Sequence, residues 1–345
     1  MRIDADSHVD ETEATWDYLL PGDRQFRPEC VQIEGNRDRS WISGGLSFRR
    51  ANRDYRRTGA TAETSQLLDV KARIEHLDRL NIDLQVIYPT MHIRSSYVGH
   101  ADVELAQVRS YNRWIADRTF STAGRLRWVA VLPLFSMDEA VRELEWAKEH
   151  GAVGVFKKSV ECDQRLVNSP YFFPLYEAAA ELGLPMCIHV GSEGPHEAAA
   201  PVALDTLKAF DPLINSDIGE RFPALRFGFI ESGASWVPYL LSLHSGAERR
   251  KQMQSDVYDS ALPVDTELFE RRNLYVACQS HEDIAYLLPF GLENRLMVGT
   301  DYTHADQSSE IQALSIIEQR ALNGEIPMSV VEKMFDANPR RFYGL

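Results

Sequence analysis

Four short stretches of the sequence end an apolar run with a side chain able to bind a metal ion or move a proton. Ile3-Asp4-Ala5-Asp6-Ser7-His8 offers two carboxylates and an imidazole at alternate positions. Met186-Cys187-Ile188-His189 ends in an imidazole, Arg226-Phe227-Gly228-Phe229-Ile230-Glu231 in a carboxylate, and Leu296-Met297-Val298-Gly299-Thr300-Asp301 in another. Imidazole nitrogen combined with carboxylate oxygen is a donor set suited to Zn2+ or Mn2+. Singly, each residue has a plain structural reading, as a core histidine bonded to backbone or an aspartate capping a helix. Together they make one site if the fold brings the four chain positions to one place.

The elements that must position them are legible. Eight β-rich runs, at about 2–8, 84–90, 126–133, 152–157, 185–190, 226–231, 274–279 and 295–301, alternate with segments of helical spacing such as Ala140, Val141, Leu144 and Ala147. Eight βα units predict a closed (β/α)8 TIM barrel, and no G-x-G-x-x-G turn follows a strand as an open doubly wound sheet would favour. In such a barrel the C-terminal strand ends converge on one mouth. Strand alternation puts Asp4, Asp6 and His8 on one face. Asp6, His8, His189 and Asp301 are then the predicted metal ligands, with Glu231 in the same cluster. Ser232-Gly233-Ala234-Ser235 is small enough to let a ligand approach.

The chain reads as one domain, 1–345. The segment at about 9–68 is too long for a βα loop and is predicted to be an insertion after strand 1 that caps the mouth. The stretch 307–345 reads as the last barrel helix plus extra C-terminal helices, with a break at Asn338-Pro339.

The bulk properties exclude several roles. A formal net charge of -14 opposes binding to nucleic acid, which needs a cationic surface. No apolar run approaches the ~20 residues of a membrane span, and Met1-Arg2-Ile3-Asp4 lacks the parts of a signal peptide, so a cytoplasmic protein is expected. The four cysteines show no C-x-x-C spacing, and Cys187 and Cys278 read as buried thiols.

The strand-end segments, together with Asn81-Ile82-Asp83-Leu84-Gln85-Val86 and Val298-Gly299-Thr300-Asp301-Tyr302, resemble the second family of the amidohydrolase superfamily, the metal-dependent TIM barrels like aminocarboxymuconate-semialdehyde decarboxylase. The family's H-x-H or E-x-H pair falls on Asp6 and His8, its strand-five ligand on His189 and its strand-eight aspartate on Asp301. Two positions depart from it. Asp6 stands where the family has His or Glu, and Glu231 stands where it has a histidine facing substrate or metal.

The resemblance implies a non-oxidative decarboxylase of a small aromatic or enoic carboxylic acid. It would use one divalent metal ion, with Zn2+ placed ahead of Mn2+, and Glu231 and Asp301 as catalytic groups. A small-molecule substrate and a homodimer are implied as well. Glu231 can be acid, base or fifth ligand. A cation should offset the acidic site, and Lys157, Arg49 and its neighbours Arg50 and Arg53 are candidates, with His304 as a further substrate-binding residue and His92, His196 and His281 near the rim. Hydrolysis of an amide, lactone or related bond is the alternative, and a non-catalytic binding barrel the third reading.

Overall fold

The computed structural model describes residues 1–55, 58–191, 207–253, 263–305 and 307–345. All eight predicted runs form strands, interleaved with shorter strands of the insertion and of one loop. In chain order they are β1 (Ile3–Val9), β2 (Glu29–Gln32), β3 (Arg39–Ser43), β4 (Leu46–Arg50), β5 (Leu84–Pro89), β6 (Leu126–Ala130), β7 (Ala152–Lys157), β8 (Val160–Glu161), β9 (Arg165–Leu166), β10 (Met186–His189), β11 (Phe227–Ile230), β12 (Leu274–Cys278) and β13 (Leu296–Val298).

The order β1-β5-β6-β7-β10-β11-β12-β13 makes one eight-stranded sheet. Its strands are buried at every position of β1, β5, β7 and β10 because side chains fill one face and helices cover the other. The sheet closes on itself: Ser7 bridges Tyr302, and the N–H groups of Thr300 and Asp301 donate to the Asp6 carbonyl at 3.0 and 2.9 Å. The fold is therefore a (β/α)8 TIM barrel.

Closure breaks one expectation. The register of β1 against β5 shifts between Asp4 and Ser7, a bulge that interrupts strict alternation. Asp4 leaves the face that Asp6 and His8 share. Its carboxylate instead accepts from Gln85 Nε2 at 2.6 Å, Thr300 Oγ1 at 2.6 Å and the Thr300 N–H at 2.8 Å. Burial pushes the Asp4 pKa up to about 6 even against those bonds.

Helices such as Val70–Arg79, Ala101–Phe120 and Met137–Glu149 pack outside the strands. The segment after β1 folds as 3-10 turns, Glu13–Tyr18 and Pro21–Phe26, and an antiparallel sheet β2-β3-β4. Trp16, Trp41 and Phe48 from it join Met91, Tyr97 and Val103 in a satellite core, so it is anchored on the β5 side of the barrel. At the other end of the chain, Asn338-Pro339 starts the last helix, Asn338–Tyr343. Phe342 packs on β11, where a Cβ at Gly228 would lie 2.4 Å from its ring. Tyr343 donates to the Ala5 carbonyl and its hydroxyl meets that of Tyr88, both at 2.6 Å.

Candidate metal centre

The mouth gathers its donors from four strands. His8, near the end of β1, and His189, the last residue of β10, face each other with Nε2 atoms 3.1 Å apart. His8 Nε2 lies 3.5 Å from Asp6 Oδ1, 3.5 Å from Asp301 Oδ1 and 3.9 Å from Glu231 Oε2. His189 Nε2 lies 3.0 Å from Glu231 Oε2 and 3.8 Å from Asp6 Oδ1. All five side chains are buried or nearly so.

The tautomers decide what can sit between them. His8 Nδ1 meets the Pro89 carbonyl and His189 Nδ1 the Val190 carbonyl, each at 3.0 Å. A carbonyl only accepts, so Nδ1 carries the proton in both neutral rings and each Nε2 presents a lone pair. Two lone pairs at that distance need a shared cation or an added proton. A tetrahedral ion with bonds of about 2.0–2.2 Å sets its ligand atoms about 3.3–3.6 Å apart, and the separations here, from 3.0 to 3.9 Å, bracket that range. Two overlapping donor groups, Asp6-His8-His189-Glu231 and His8-Glu231-Asp301-His304, each keep their atoms within 4.8 Å of one another.

Electrostatics sorts the imidazoles. Burial, then the facing His304 and His189, hold the His8 pKa well below its ordinary value. Burial and Arg53 do the same to His304. Burial also opposes charge on His189, yet the Glu231 and Asp6 carboxylates outweigh it and its pKa is raised.

The backbone is strained where the carboxylates enter. Glu231 has φ 61, Asp301 φ 50 and Thr303 φ 90. Left-handed conformation costs an L-residue roughly 1–2 kcal/mol, and strain of this kind concentrates at functional sites. Anchors hold it in place: the His304 N–H donates to the Asp301 carbonyl at 3.1 Å, and Ser309 Oγ to the same carbonyl at 3.3 Å. Gly299 allows Asp6 its position, since a Cβ there would lie 2.3 Å from Asp6 Cβ. The small loop after Glu231 is fastened by Glu282, whose carboxylate accepts from the N–H groups of Ala234 and Ser235.

A family model described as amidohydrolase matches residues 72–345. The chain belongs to the second amidohydrolase family. The match begins beyond Asp6 and His8, so their part in the site rests on the geometry above. A 2-keto-4-carboxy-3-hexenedioate hydratase from Sphingobium sp. (strain NBRC 103272 / SYK-6) is 25% identical over 310 residues, 82% of each chain. Among solved structures, an amidohydrolase from Mycobacterium avium subsp. paratuberculosis K-10 superposes with a TM-score of 0.78 at 16% identity, covering 99% of both chains. A dihydroxybenzoic acid decarboxylase from Polaromonas sp. JS666, with bound manganese and 2-nitroresorcinol, gives 0.64 at 16% identity, covering 100% of this chain and 97% of its own. No helix among the described residues is long and apolar enough to cross a membrane.

In this amidohydrolase the structure brings Asp6, His8, His189, Glu231 and Asp301 to one place, and it sets His304, expected from the sequence to bind substrate, against the same cluster. The His304 ring stacks on His8 with centroids 3.9 Å apart, Nδ1 lies 2.7 Å from Asp301 Oδ1, and Nε2 meets Thr90 Oγ1 at 3.2 Å.

Lys157 is not at the mouth. It is fully buried on the helix-facing side of β7, ion-paired with Glu161, with Nζ 3.9 Å over the Phe172 ring. Its neighbour Phe156 faces inward, 5.6 Å from the His189 ring, so the inward cation of this strand end is Lys158. The sequence reading was out of phase by one residue. Arg49 is also absent from the cluster, being exposed on β4 and paired with Asp38 at 2.6 Å. Arg53 of the same segment lies close enough for its charge to act on His8 and His304, and its Nε is 3.3 Å from Asp10 Oδ1.

His281 is exposed, while His196 and the side chains of Arg249, Arg250 and Lys251 lie outside the described residues. Sequence reasoning missed Ser308, whose Oγ is 3.0 Å from both Glu231 Oε1 and Asp301 Oδ2; no motif marks it. It also missed Arg73, which donates to the His8 carbonyl at 3.2 Å and to Gln85 Oε1 at 2.9 Å, and lies 3.6 Å over the Tyr302 ring.

Proposed function

We propose that this amidohydrolase is a metal-dependent carboxy-lyase that releases CO2, without oxidation, from a small aromatic or enoic carboxylic acid. The observation that carries the reading is the convergence of the His8 and His189 Nε2 atoms with carboxylate oxygens at 3.0–3.9 Å in the barrel mouth. The shared fold of the Polaromonas decarboxylase supports it.

Asp6, His8, His189 and Asp301 are the proposed ligands. The donor set suits Zn2+ first, and the bound manganese of the Polaromonas structure makes Mn2+ the ion to compare with it. When bound, such an ion polarises substrate oxygens and offsets developing negative charge. The bond between the substrate carbon and its carboxylate breaks, the electron pair stays on that carbon, and the carbon takes a proton. Glu231 is the proposed proton carrier, because Oε2 faces the cluster beside His189 while Oε1 is held by Ser308. Asp301 orients His304. Lys158 and Arg53, rather than Lys157 and Arg49, provide cationic groups on the substrate side. We further propose a homodimer that acts on small molecules in the cytoplasm, the charge of -14 opposing nucleic acid.

A second reading is addition of water across an enoic acid, favoured by the Sphingobium relative, a hydratase. Hydrolysis of an amide or lactone needs the same residues. The test is a panel of hydroxylated aromatic acids, enoic acids, amides and lactones, offered to protein loaded with Zn2+ or Mn2+. CO2 release from an acid supports the first reading. Hydrated product without CO2 establishes the second, and new acid from amides or lactones establishes hydrolysis.

A further inference from the structure

The hairpin β3-β4 of the insertion is pinned in register by its turn. Gly44 and Gly45 both have positive φ, 53 and 82, as the two-residue turn that matches strand twist requires, and Ser43 pairs with Leu46 across it. Two residues back on each strand Trp41 lies opposite Phe48, and two further back Arg39 lies opposite Arg50, all four on one face of the sheet. Trp41 and Phe48 are buried in the satellite core, so this face turns inward and the two arginines stand at its margin. Gln32 of β2 completes their row, with its Nε2 spent on the Ile33 and Asn36 carbonyls.

Like charges at directly opposed positions repel, with Cβ atoms only about 4.5–5.5 Å apart. Among the described residues no carboxylate offsets Arg39 or Arg50. Residues 37–53 hold five arginines and a single carboxylate, Asp38, in a chain whose net charge is -14. Asp38 belongs to the other arginine of β4, accepting from Arg49 Nε at 2.6 Å and from the Asn52 N–H at 2.9 Å. The Arg50 guanidinium lies over the Trp41 ring, 5.5 Å from its centroid, and Arg50 Nε is buried with no hydrogen-bond partner among the described residues. A desolvated guanidinium donor left unbonded is costly, and a second cation beside it adds to the cost. Slippage cannot relieve it, because a shift of one residue would turn Trp41 and Phe48 out of the satellite core.

Counting donors and charge decides what kind of ligand answers this pair. A carboxylate offers two oxygens, which one guanidinium fork takes up, and a single negative charge. Two forks and two positive charges are matched instead by a phosphate group, with three or more acceptor oxygens and a charge of about -1.5 to -2 near pH 7. We propose that Arg39 and Arg50 form a phosphate-binding site on the insertion, separate from the metal centre. The arginine charges that act on His8 and His304 are those of Arg53 and Arg94, not of this pair. The site therefore goes beyond the carboxy-lyase reading and does not depend on which reaction the metal centre performs.

The test is calorimetric titration of the metal-loaded protein with inorganic phosphate, methyl phosphate and acetate at constant ionic strength, with the metal content of every variant checked by elemental analysis. Phosphate is expected to bind, and Arg39→Met and Arg50→Met each to weaken it about 10–100-fold, the worth of a charge-assisted hydrogen bond. Arg39 is exposed, so its variant keeps the test open if Arg50→Met fails to fold. Lys71→Met removes the same charge from an exposed helix position and should leave phosphate binding unchanged. A second readout needs no ligand: in phosphate-free buffer Arg39→Met should melt no lower than the unmodified protein, because it removes a repulsion. Methyl phosphate binding as tightly as inorganic phosphate assigns the site to phosphate esters, and its exclusion assigns it to free phosphate. Three results overturn the site: phosphate binding equally in the unmodified protein and both arginine variants, as for an anion held at the metal ion; acetate binding as tightly as phosphate; or Arg39→Met melting markedly lower without phosphate, which would show that Arg39 already has a partner.

Discussion

Gly299→Ala tests the placement of Asp6 with a single methyl group. The added Cβ would sit 2.3 Å from Asp6 Cβ and 3.2 Å from both Asp6 Cα and its carbonyl oxygen. Ordinary contact begins at 3.4 Å, so the Cβ pair must part by about 1 Å. Neither partner can turn aside, because a Cβ moves only with its backbone, and the Asp6 carbonyl is fixed by the N–H groups of Thr300 and Asp301. Overpacking of this size costs about 1–3 kcal/mol. Metal donors tolerate only ~0.2 Å, so a shift near 1 Å removes Asp6 as an effective ligand.

The expected outcome is a lowered melting temperature and a metal affinity weakened about 10–100-fold, the range seen when support around a ligand is lost. The assay is metal content after dialysis against graded chelator, with thermal unfolding of stripped and reloaded protein. Gly246→Ala is the control: nothing lies within 4 Å of its Cβ position, and alanine favours its helix, Val237–Met253, by up to about 1 kcal/mol. If Gly299→Ala keeps normal metal content through the chelator series and melts normally, the close packing of β13 on Asp6 is not what positions the carboxylate.

Four further outcomes are expected. His189→Ala should lose the metal, measured by elemental analysis, and retention of a stoichiometric ion would sink the ligand assignment. Arg73→Lys cannot keep the forked contacts to His8, Thr64 and Gln85, and should lose about 1–3 kcal/mol for each buried acceptor left unbonded; chemical unfolding reads this, and an unchanged midpoint refutes it. Glu11 is buried and its pKa is raised from 4.5 to about 7 by that burial. The folded state therefore prefers the protonated acid, and its stabilising contribution is complete below pH 4.5 and lost as pH rises through 7; Glu11→Gln should gain on the unmodified protein by about 3 kcal/mol between pH 4.5 and 8, and parallel stability curves would contradict this. Lys158→Met should impair substrate binding more than Lys157→Met, read as a change in KM among folded variants, and the reverse order would restore the original phase of β7.

What was legible in the sequence had a local signature. An apolar run that stops at His189, Glu231 or Asp301 announces both a strand and the chemistry at its end, and the barrel supplies their meeting point. What was not legible depends on partners far along the chain. The bulge in β1 arises where Thr300, nearly three hundred residues later, bonds to Asp4. Choosing between Lys157 and Lys158 requires knowing which side of β7 faces His189. The same dependence on distant partners buries His76 of the helix Val70–Arg79, whose Nδ1 lies 2.6 Å from the Tyr302 hydroxyl where the barrel closes beside it.

The tie between Tyr343 and Ala5 has a consequence for birth of the enzyme at the ribosome. The strand carrying Asp6 and His8 is made more than three hundred residues before Tyr343, its anchor, and nearly as long before its seam with Tyr302. At a synthesis rate of about 5–20 residues per second, β1 waits roughly 17–67 s for its final partners. Throughout that interval two of the proposed ligands belong to an unfinished sheet edge, so the nascent chain can complete the surroundings of its metal centre only after Tyr302 and Tyr343 have emerged.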